Sequence, residues 1–298
     1  MIKAIILSYN RACQLHLLLE SLNRNAPGVF DPTVIYRTEV GPHATAYEIV
    51  KKRFPNANFI EQKPPVVNMF NLVWEETRKA DNLVSYFVDD NVMFRPLIKL
   101  DLVEKYANAP NVIGFSTRLG RNITHDGPLS SKVLRRPEFT GCNDEDFMHF
   151  SLREGADVSS SDNMGIKWAS KIGHFGWPFS VDGNICRKEV VLKYADRVDW
   201  KSPSRSVNDI EGEIVQQISA DLGVCPDRYV CYEHSIVTNI VLNRVSARSH
   251  TKIGTNKADI ASLAKAYNRG QILDYDSIDT CDIHQCHVDL PIGFTEWK

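Results

Sequence analysis

Two adjacent acids, Asp89 and Asp90, followed by Asn91, stand directly after the apolar run Leu83-Val84-Ser85-Tyr86-Phe87-Val88. Carboxylates just outside the end of a buried strand suit Mg²⁺ or Mn²⁺, because a hard cation takes oxygen ligands and keeps positions open for phosphate oxygens. The bland alternative is an acidic turn at a strand end. A second acidic group, Asn208-Asp209-Ile210-Glu211-Gly212-Glu213, opens a segment of helical periodicity. A carboxylate there could take the proton of an attacking hydroxyl. Acids in a first turn also complement the helix dipole, and Asn208-x-x-Glu211 resembles a capping box. Asp182-Gly183-Asn184 reads either as a hairpin turn or as a loop whose backbone approaches a substrate. His234, after Val230-Cys231-Tyr232-Glu233, is either a metal ligand or a structural histidine. Cys281, His284, Cys286 and His287 have the donor types for zinc but match no paired-ligand spacing.

These residues need elements to position them, and the first 120 residues supply a regular alternation. Ile2–Leu7 reads as a strand buried on both faces, and Leu15, Leu18, Leu19 and Leu22 as a helical stripe stopped by Ala26-Pro27-Gly28. Strands follow at Thr33–Tyr36, Asn58–Ile60, Leu83–Val88 and Val112–Phe115, with helices predicted around Ala46–Phe54 and Val66–Arg78. That order implies an α/β sheet covered on both faces. Residues 120–165 are polar and read mainly as loops. A helix over about Asn208–Leu222 with Gly223 as its stop, and a last strand within Val230–Leu242, follow. Beyond Ser246 the chain reads as a polar tail with one short helix near Ile260–Tyr267. Ser8-Tyr9-Asn10-Arg11, in the first strand-to-helix turn, could present donors to a nucleotide or simply cap a helix. It lacks the glycines of a dinucleotide fingerprint or a P-loop.

The 298 residues carry 35 Lys+Arg against 37 Asp+Glu, a formal net charge of -2, which argues against a nucleic-acid or acidic-membrane surface. No apolar run approaches the roughly 18 to 20 residues of a membrane span. Seven scattered cysteines and no leader-like N-terminus suggest reduced thiols and a cytoplasmic location.

Taken in order, Ile5-Ile6-Leu7-Ser8-Tyr9-Asn10-Arg11, Phe87-Val88-Asp89-Asp90-Asn91-Val92, Val181-Asp182-Gly183-Asn184, Ile210-Glu211-Gly212-Glu213 and His234 resemble the motif series of GT-A glycosyltransferases, closest in style to inverting family 2. The resemblance covers roughly residues 1–245. It implies an α/β, three-layer αβα, Rossmann-like mixed sheet, with a donor half over 1–118, an acceptor half over 119–245 and a C-terminal extension over 246–298. It also implies transfer of a sugar, with inversion, from a nucleotide-diphospho-sugar donor to a glycan or other hydroxyl acceptor, assisted by Mn²⁺ or Mg²⁺. Mapped residue by residue, it places Ser8, Tyr9, Asn10, Arg11, Arg37, Asn68 and Asp89 around the donor. Asp90, Asn91 and His234 fall at the metal, Trp177, Asp182, Gly183 and Asn184 at the acceptor, and Glu211, with Asp209 as competitor, at the base. Three positions depart from the family pattern: Asn91 stands where a metal-binding acid is common, Tyr36-Arg37-Thr38 lacks an acid at the second strand end, and Ile210 replaces the first acid of the base pair. A nucleotidyltransferase of related fold would share the metal site but usually opens on a Gly-rich loop. A non-catalytic carbohydrate-binding or assembly protein would not need Asp89-Asp90.

Overall fold

The computed structural model describes the chain except residues 64–67, 126–132, 153–155, 158–168, 171–172, 202–206, 222–227, 244–257, 279–282 and 298. Leu222, Gly223 and Cys281 lie outside the described residues. The first third alternates β1 (Ile2–Tyr9), α1 (Ala12–Asn25), β2 (Phe30–Arg37), α2 (Pro42–Arg53), β3 (Asn58–Glu61), α3 (Met69–Lys79) and β4 (Leu83–Val88). Then come β5 (Asn91–Met93), α4 (Leu100–Ala107), β6 (Val112–Ser116), β7 (Thr140–Gly141), β8 (Phe147–Ser151), β9 (Ala156–Asp157), β10 (Ala169–Ser170), β11 (Ile185–Arg187), α5 (Lys188–Ala195) and α6 (Val207–Ala220). The last third holds β12 (Arg228–Tyr232), β13 (Val237–Ile240), α7 (Ile260–Asn268), β14 (Gln271–Leu273), β15 (His287–Val288) and β16 (Phe294–Glu296).

Nine strands form the main sheet in the order β3-β2-β1-β4-β11-β6-β12-β8-β7. β1 to β4 are parallel; β11 runs antiparallel between β4 and β6; β12 is parallel to β6 and antiparallel to β8. Along β1, Ile2, Ala4 and Ile6 enter one core while Ile5 and Leu7 enter the other, the period-2 alternation of a strand covered on both sides. The first core takes α1, α2, α4 and α7, the second α3, α5 and α6. This is the mixed, three-layer α/β arrangement that the sequence implies. Leu15, Leu18, Leu19 and Leu22 of α1 are buried, each contributing roughly 1.5–3 kcal/mol.

The expected last strand within Val230–Leu242 is two strands in two sheets. β12 joins the main sheet, whereas β13 turns away and pairs with β5 and β15 in a separate three-stranded sheet, order β15-β13-β5. The residues after 258 pack as structure as well: Leu263, Ala264 and Tyr267 of α7 are buried in the first core, and β14 pairs with β16. β8 lies in the stretch expected to be loops; Phe147, Met148 and Phe150 are buried there. Among the described residues, β9 and β10 pair with each other.

Gly183 leads into β11 with φ +84, where an added Cβ would lie 2.6 Å from the Thr117 hydroxyl oxygen and 3.1 Å from the Phe87 ring. Its N–H donates to the Tyr86 carbonyl and its carbonyl accepts from the Thr117 hydroxyl. Asp182-Gly183-Asn184 is therefore a buried entry into a central strand, not a two-residue hairpin. Gly183→Ala is expected to cost about 2–4 kcal/mol, from left-handed backbone plus overlap in a packed core. Urea unfolding measures it, and a loss under about 0.5 kcal/mol would contradict this packing.

Candidate active site

The carboxyl end of β4 meets that of β1, and the acids after Val88 are fixed there by the first turn. The Asp89 N–H donates to the Leu7 carbonyl. Asp89 Oδ2 accepts from the Ser8 hydroxyl (2.9 Å) and the Tyr9 N–H (3.0 Å), and its Oδ1 accepts from Arg11 Nη1 (3.0 Å). Arg11 Nη1 also donates to Asp90 Oδ2 (3.1 Å), while Nε and Nη2 donate to the side-chain and backbone oxygens of Asn243. Asn10 turns the corner at φ +58; its amide oxygen accepts the Glu39 N–H and its own N–H donates to the Arg37 carbonyl. Burial pushes the Asp89 and Asp90 carboxyls up, and the Arg11 guanidinium opposes that.

Of the residues expected at the donor, Ser8, Arg11 and Asp89 are thus buried in contacts centred on Asp89, and Asn10 is buried with its hydrogen bonds to the backbone of Arg37 and Glu39. Tyr9 is half-buried, donates its hydroxyl to Glu39 (2.7 Å) and lies under the exposed Arg37 guanidinium, 5.3 Å from the ring centre. Asn68 is elsewhere in use: it caps α3 by accepting the Phe70 N–H and donates to the Trp200 carbonyl.

The small sheet brings three distant residues into one cross-strand row. Asn239 of β13 stands opposite Asn91 of β5 on one side and His287 of β15 on the other. Residues in such register share a face, and this row surrounds Asp182. Asp182 Oδ1 accepts from Asn239 (2.8 Å) and Asn91 (3.1 Å); Oδ2 accepts from Arg118 and from the Ser180 hydroxyl. Burial alone would push the Asp182 carboxyl up; the Arg118 guanidinium, with His287 and the two amides, holds it at about 2. Asn239 also donates to Asp90 Oδ1 (3.1 Å), so one amide bridges two carboxylates. His174, with its ring centre 5.5 Å from that of His287, is held well below its ordinary value by burial and by Arg118, and is neutral near pH 7.

Glu211 enters from the first turns of α6. Its Oε1 accepts from the Val181 N–H (2.7 Å) and lies 2.7 Å from the Ser180 hydroxyl, whose single proton it shares with Asp182 Oδ2. Oε2 makes no hydrogen bond among the described residues. Burial, then the nearby Asp182 charge, pushes the Glu211 carboxyl up to about 7. Asp209 lies two residues earlier, about 200° around the helix. The helix starts at Val207, so Asn208 falls inside its first turn, not ahead of it as a capping box requires.

Other expected site residues point elsewhere. Trp177 is half-buried against the second core, and Asn184 donates to the Tyr229 hydroxyl. His234 is exposed beyond β12; the residue of that segment that reaches Asp90 is Asn239. Asn91 Oδ1 accepts the Val88 N–H (2.8 Å) and its amide nitrogen serves Asp182, which turns it inward. Cys286 is a buried thiol in the second core, His284 is exposed, and His287 belongs to the row around Asp182. Arg118, Ser180, Asn239 and His287 complete the site although no motif in the sequence marked them for it.

Asp89 accepts from three donors and its side chain is 5% exposed, whereas Asp90 accepts from two and is 18% exposed. No three His, Cys, Asp or Glu side chains converge among the described residues. Asp90 could reach a divalent cation whose remaining ligands come from water or an incoming anion, as Mg²⁺ commonly binds.

No protein-family model and no curated protein matches the chain. Among solved structures it is similar to a mannosyltransferase from Pyrobaculum calidifontis in complex with GDP-Man and Mn²⁺, at 16% identity and TM-score 0.32, over 41% of this chain and 36% of the other. It is similar to residues 1–349 of TarS from S. aureus at 14% identity and TM-score 0.45, over 79% and 58% of the two chains. It is also similar to 4-diphosphocytidyl-2C-methyl-D-erythritol synthase from Anaerococcus prevotii, at 11% identity and TM-score 0.36, over 90% and 96%. The chain thus spans less than two thirds of the first two proteins.

Proposed function

We propose that the chain transfers a sugar from a nucleotide-diphosphate donor to a hydroxyl acceptor, with Glu211 as general base. The observation that carries this reading is a pair of carboxylates with different duties on one hydrogen-bonded path, Asp90–Asn239–Asp182–Ser180–Glu211. At one end Asp90 is partly open at the carboxyl end of the sheet, where ligands of open α/β folds bind. At the other, Glu211 has the raised pKa that suits a base working near neutrality. Ser180 and Val181 fix Oε1 and leave Oε2 to take the acceptor's proton. As the acceptor O–H breaks, its oxygen forms the bond to the anomeric carbon from the face opposite the diphosphate. The bond to the diphosphate oxygen breaks with its electrons, which makes the transfer inverting. A Mn²⁺ or Mg²⁺ ion held by Asp90 would supply charge neutralisation of the leaving diphosphate. Tyr9 and Arg37 stand where the donor would enter.

A panel of nucleoside diphosphates and nucleotide sugars, each with Mn²⁺, tests the reading. At least one nucleoside diphosphate is expected to raise the melting temperature, and the matching sugar donor to be hydrolysed slowly without acceptor. If none stabilises the chain and none is hydrolysed, the reading fails.

The Glu211 shift sets a pH profile. Only ionised Glu211 accepts a proton, so turnover should rise with pH through about 7 and level off above it. Stability should move the other way. The folded state keeps the Glu211 proton to about 7 while the unfolded state releases it near the ordinary 4.5, so raising pH across that window weakens the fold. A rate profile flat from about pH 5 to 8 would remove Glu211 from the base role.

A further inference from the structure

Arg11 is buried, and its guanidinium is aimed by something other than the acids it meets. Asn243 accepts Nε through its side-chain oxygen (2.8 Å) and Nη2 through its backbone carbonyl (2.6 Å), and this two-point grip turns Nη1 onto Asp89 Oδ1 and Asp90 Oδ2. A guanidinium keeps its charge at any accessible pH and presents a rigid fork of donors. Without it, the buried Asp89 and the partly open Asp90 would be two adjacent carboxylates with no cation between them, a charge that a divalent cation also relieves. The guanidinium and a divalent cation therefore answer the same charge, and both meet it at Asp90, since Asp89 is filled by Ser8, Tyr9 and Arg11.

We propose that Arg11 is a positioning residue that serves as the resident counter-cation of the Asp89–Asp90 pair and competes with divalent cations for Asp90. The proposal rests on the reading of Asp90 as the metal carboxylate. It gives Arg11 a role distinct from contact with the donor: all three of its nitrogens are engaged with protein oxygens. It also explains why a metal would bind chiefly when phosphate charge arrives with it.

The test is Mn²⁺ alone titrated into the full chain, with free Mn²⁺ read by electron paramagnetic resonance, for wild type, Arg11→Met, Arg11→Lys and Arg11→Met/Asp90→Asn. Removing a fixed positive charge beside a ligand oxygen should tighten Mn²⁺ binding by about tenfold or more in Arg11→Met. Arg11→Lys, which keeps the charge, should stay within about threefold of wild type. Asp90→Asn should abolish the gain. Unchanged or weaker Mn²⁺ binding in a folded Arg11→Met chain overturns the proposal. If Arg11→Met does not fold, Asn243→Leu carries the test by releasing the side-chain grip on Nε that helps turn Nη1 onto Asp90. It should tighten Mn²⁺ binding in an Asp90-dependent way, and no change would overturn the proposal equally. Wild-type stabilisation by a nucleoside diphosphate with Mn²⁺ is recorded alongside. Its absence sinks the transferase reading, whereas its presence with unchanged Mn²⁺ affinity sinks only the role given to Arg11.

Discussion

Glu211→Gln should lower turnover by about 10² to 10⁴ while donor affinity stays within about twofold, because general-base catalysis is worth that range and the amide keeps the side chain's shape. The substituted amide can still accept at its one oxygen from Ser180 and Val181, so the fold around the helix start should survive. Removing a buried carboxylate whose pKa is raised should even stabilise the protein slightly above about pH 7. Asp209→Asn is the control: two residues away on the helix, it should cost less than about tenfold. Steady-state and single-turnover rates at about pH 8, where the base is ionised, measure both, with donor affinity by calorimetry. A reversal, with Asp209→Asn the more damaging, would put the base at Asp209.

The second large effect belongs to Asp182, which touches neither end of the path and holds its middle. Asp182→Asn should destabilise the fold by about 3–5 kcal/mol, because Arg118 is left buried without its counter-charge. The same substitution removes the charge that adds to burial in raising Glu211, and it frees Arg118 to favour the carboxylate. The acid limb of the rate profile should therefore move to lower pH. Urea unfolding and a pH–rate profile read the two consequences separately. A destabilised protein with an unmoved acid limb would leave Asp182 a packing residue and break the electrostatic link to the base.

The two halves of this picture differ in how readable they are from sequence. β1 to β4 and the helices between them are apolar runs and stripes with clear stops, and they form within a few residues of where the pattern places them. Asp89, Asp90 and Glu211 can be found for the same reason: each is an acid at the end or start of such an element. β8 is hidden because Phe147-Met148-His149-Phe150-Ser151 sits in a stretch polar on average, and its pairing with β12 is a long-range event. β12 and β13 read as one strand because both are apolar and only four residues separate them; what parts them is a change of sheet. Asn239, Arg118, Ser180 and His287 have no spacing signature. An amide or a hydroxyl becomes part of a site only when register sets it beside a carboxylate, and here that register depends on three strands far apart in the chain. His234 illustrates the converse: the right residue type in the right order, yet exposed, while an asparagine five residues on makes the contact.

The row Asn91–Asn239–His287 also sets when the site can exist. A ribosome adding roughly 5–20 residues per second needs about 2 to 10 seconds to go from residue 239 to residue 287. Through that interval the nascent sheet core can form, but Asn239 has no neighbour on its β15 side, and Asp182 lacks the histidine that helps keep it ionised. Pairing across such sequence separation is slow once available. During synthesis the chain should therefore pass through a long-lived state with a folded sheet and an unfinished carboxylate network.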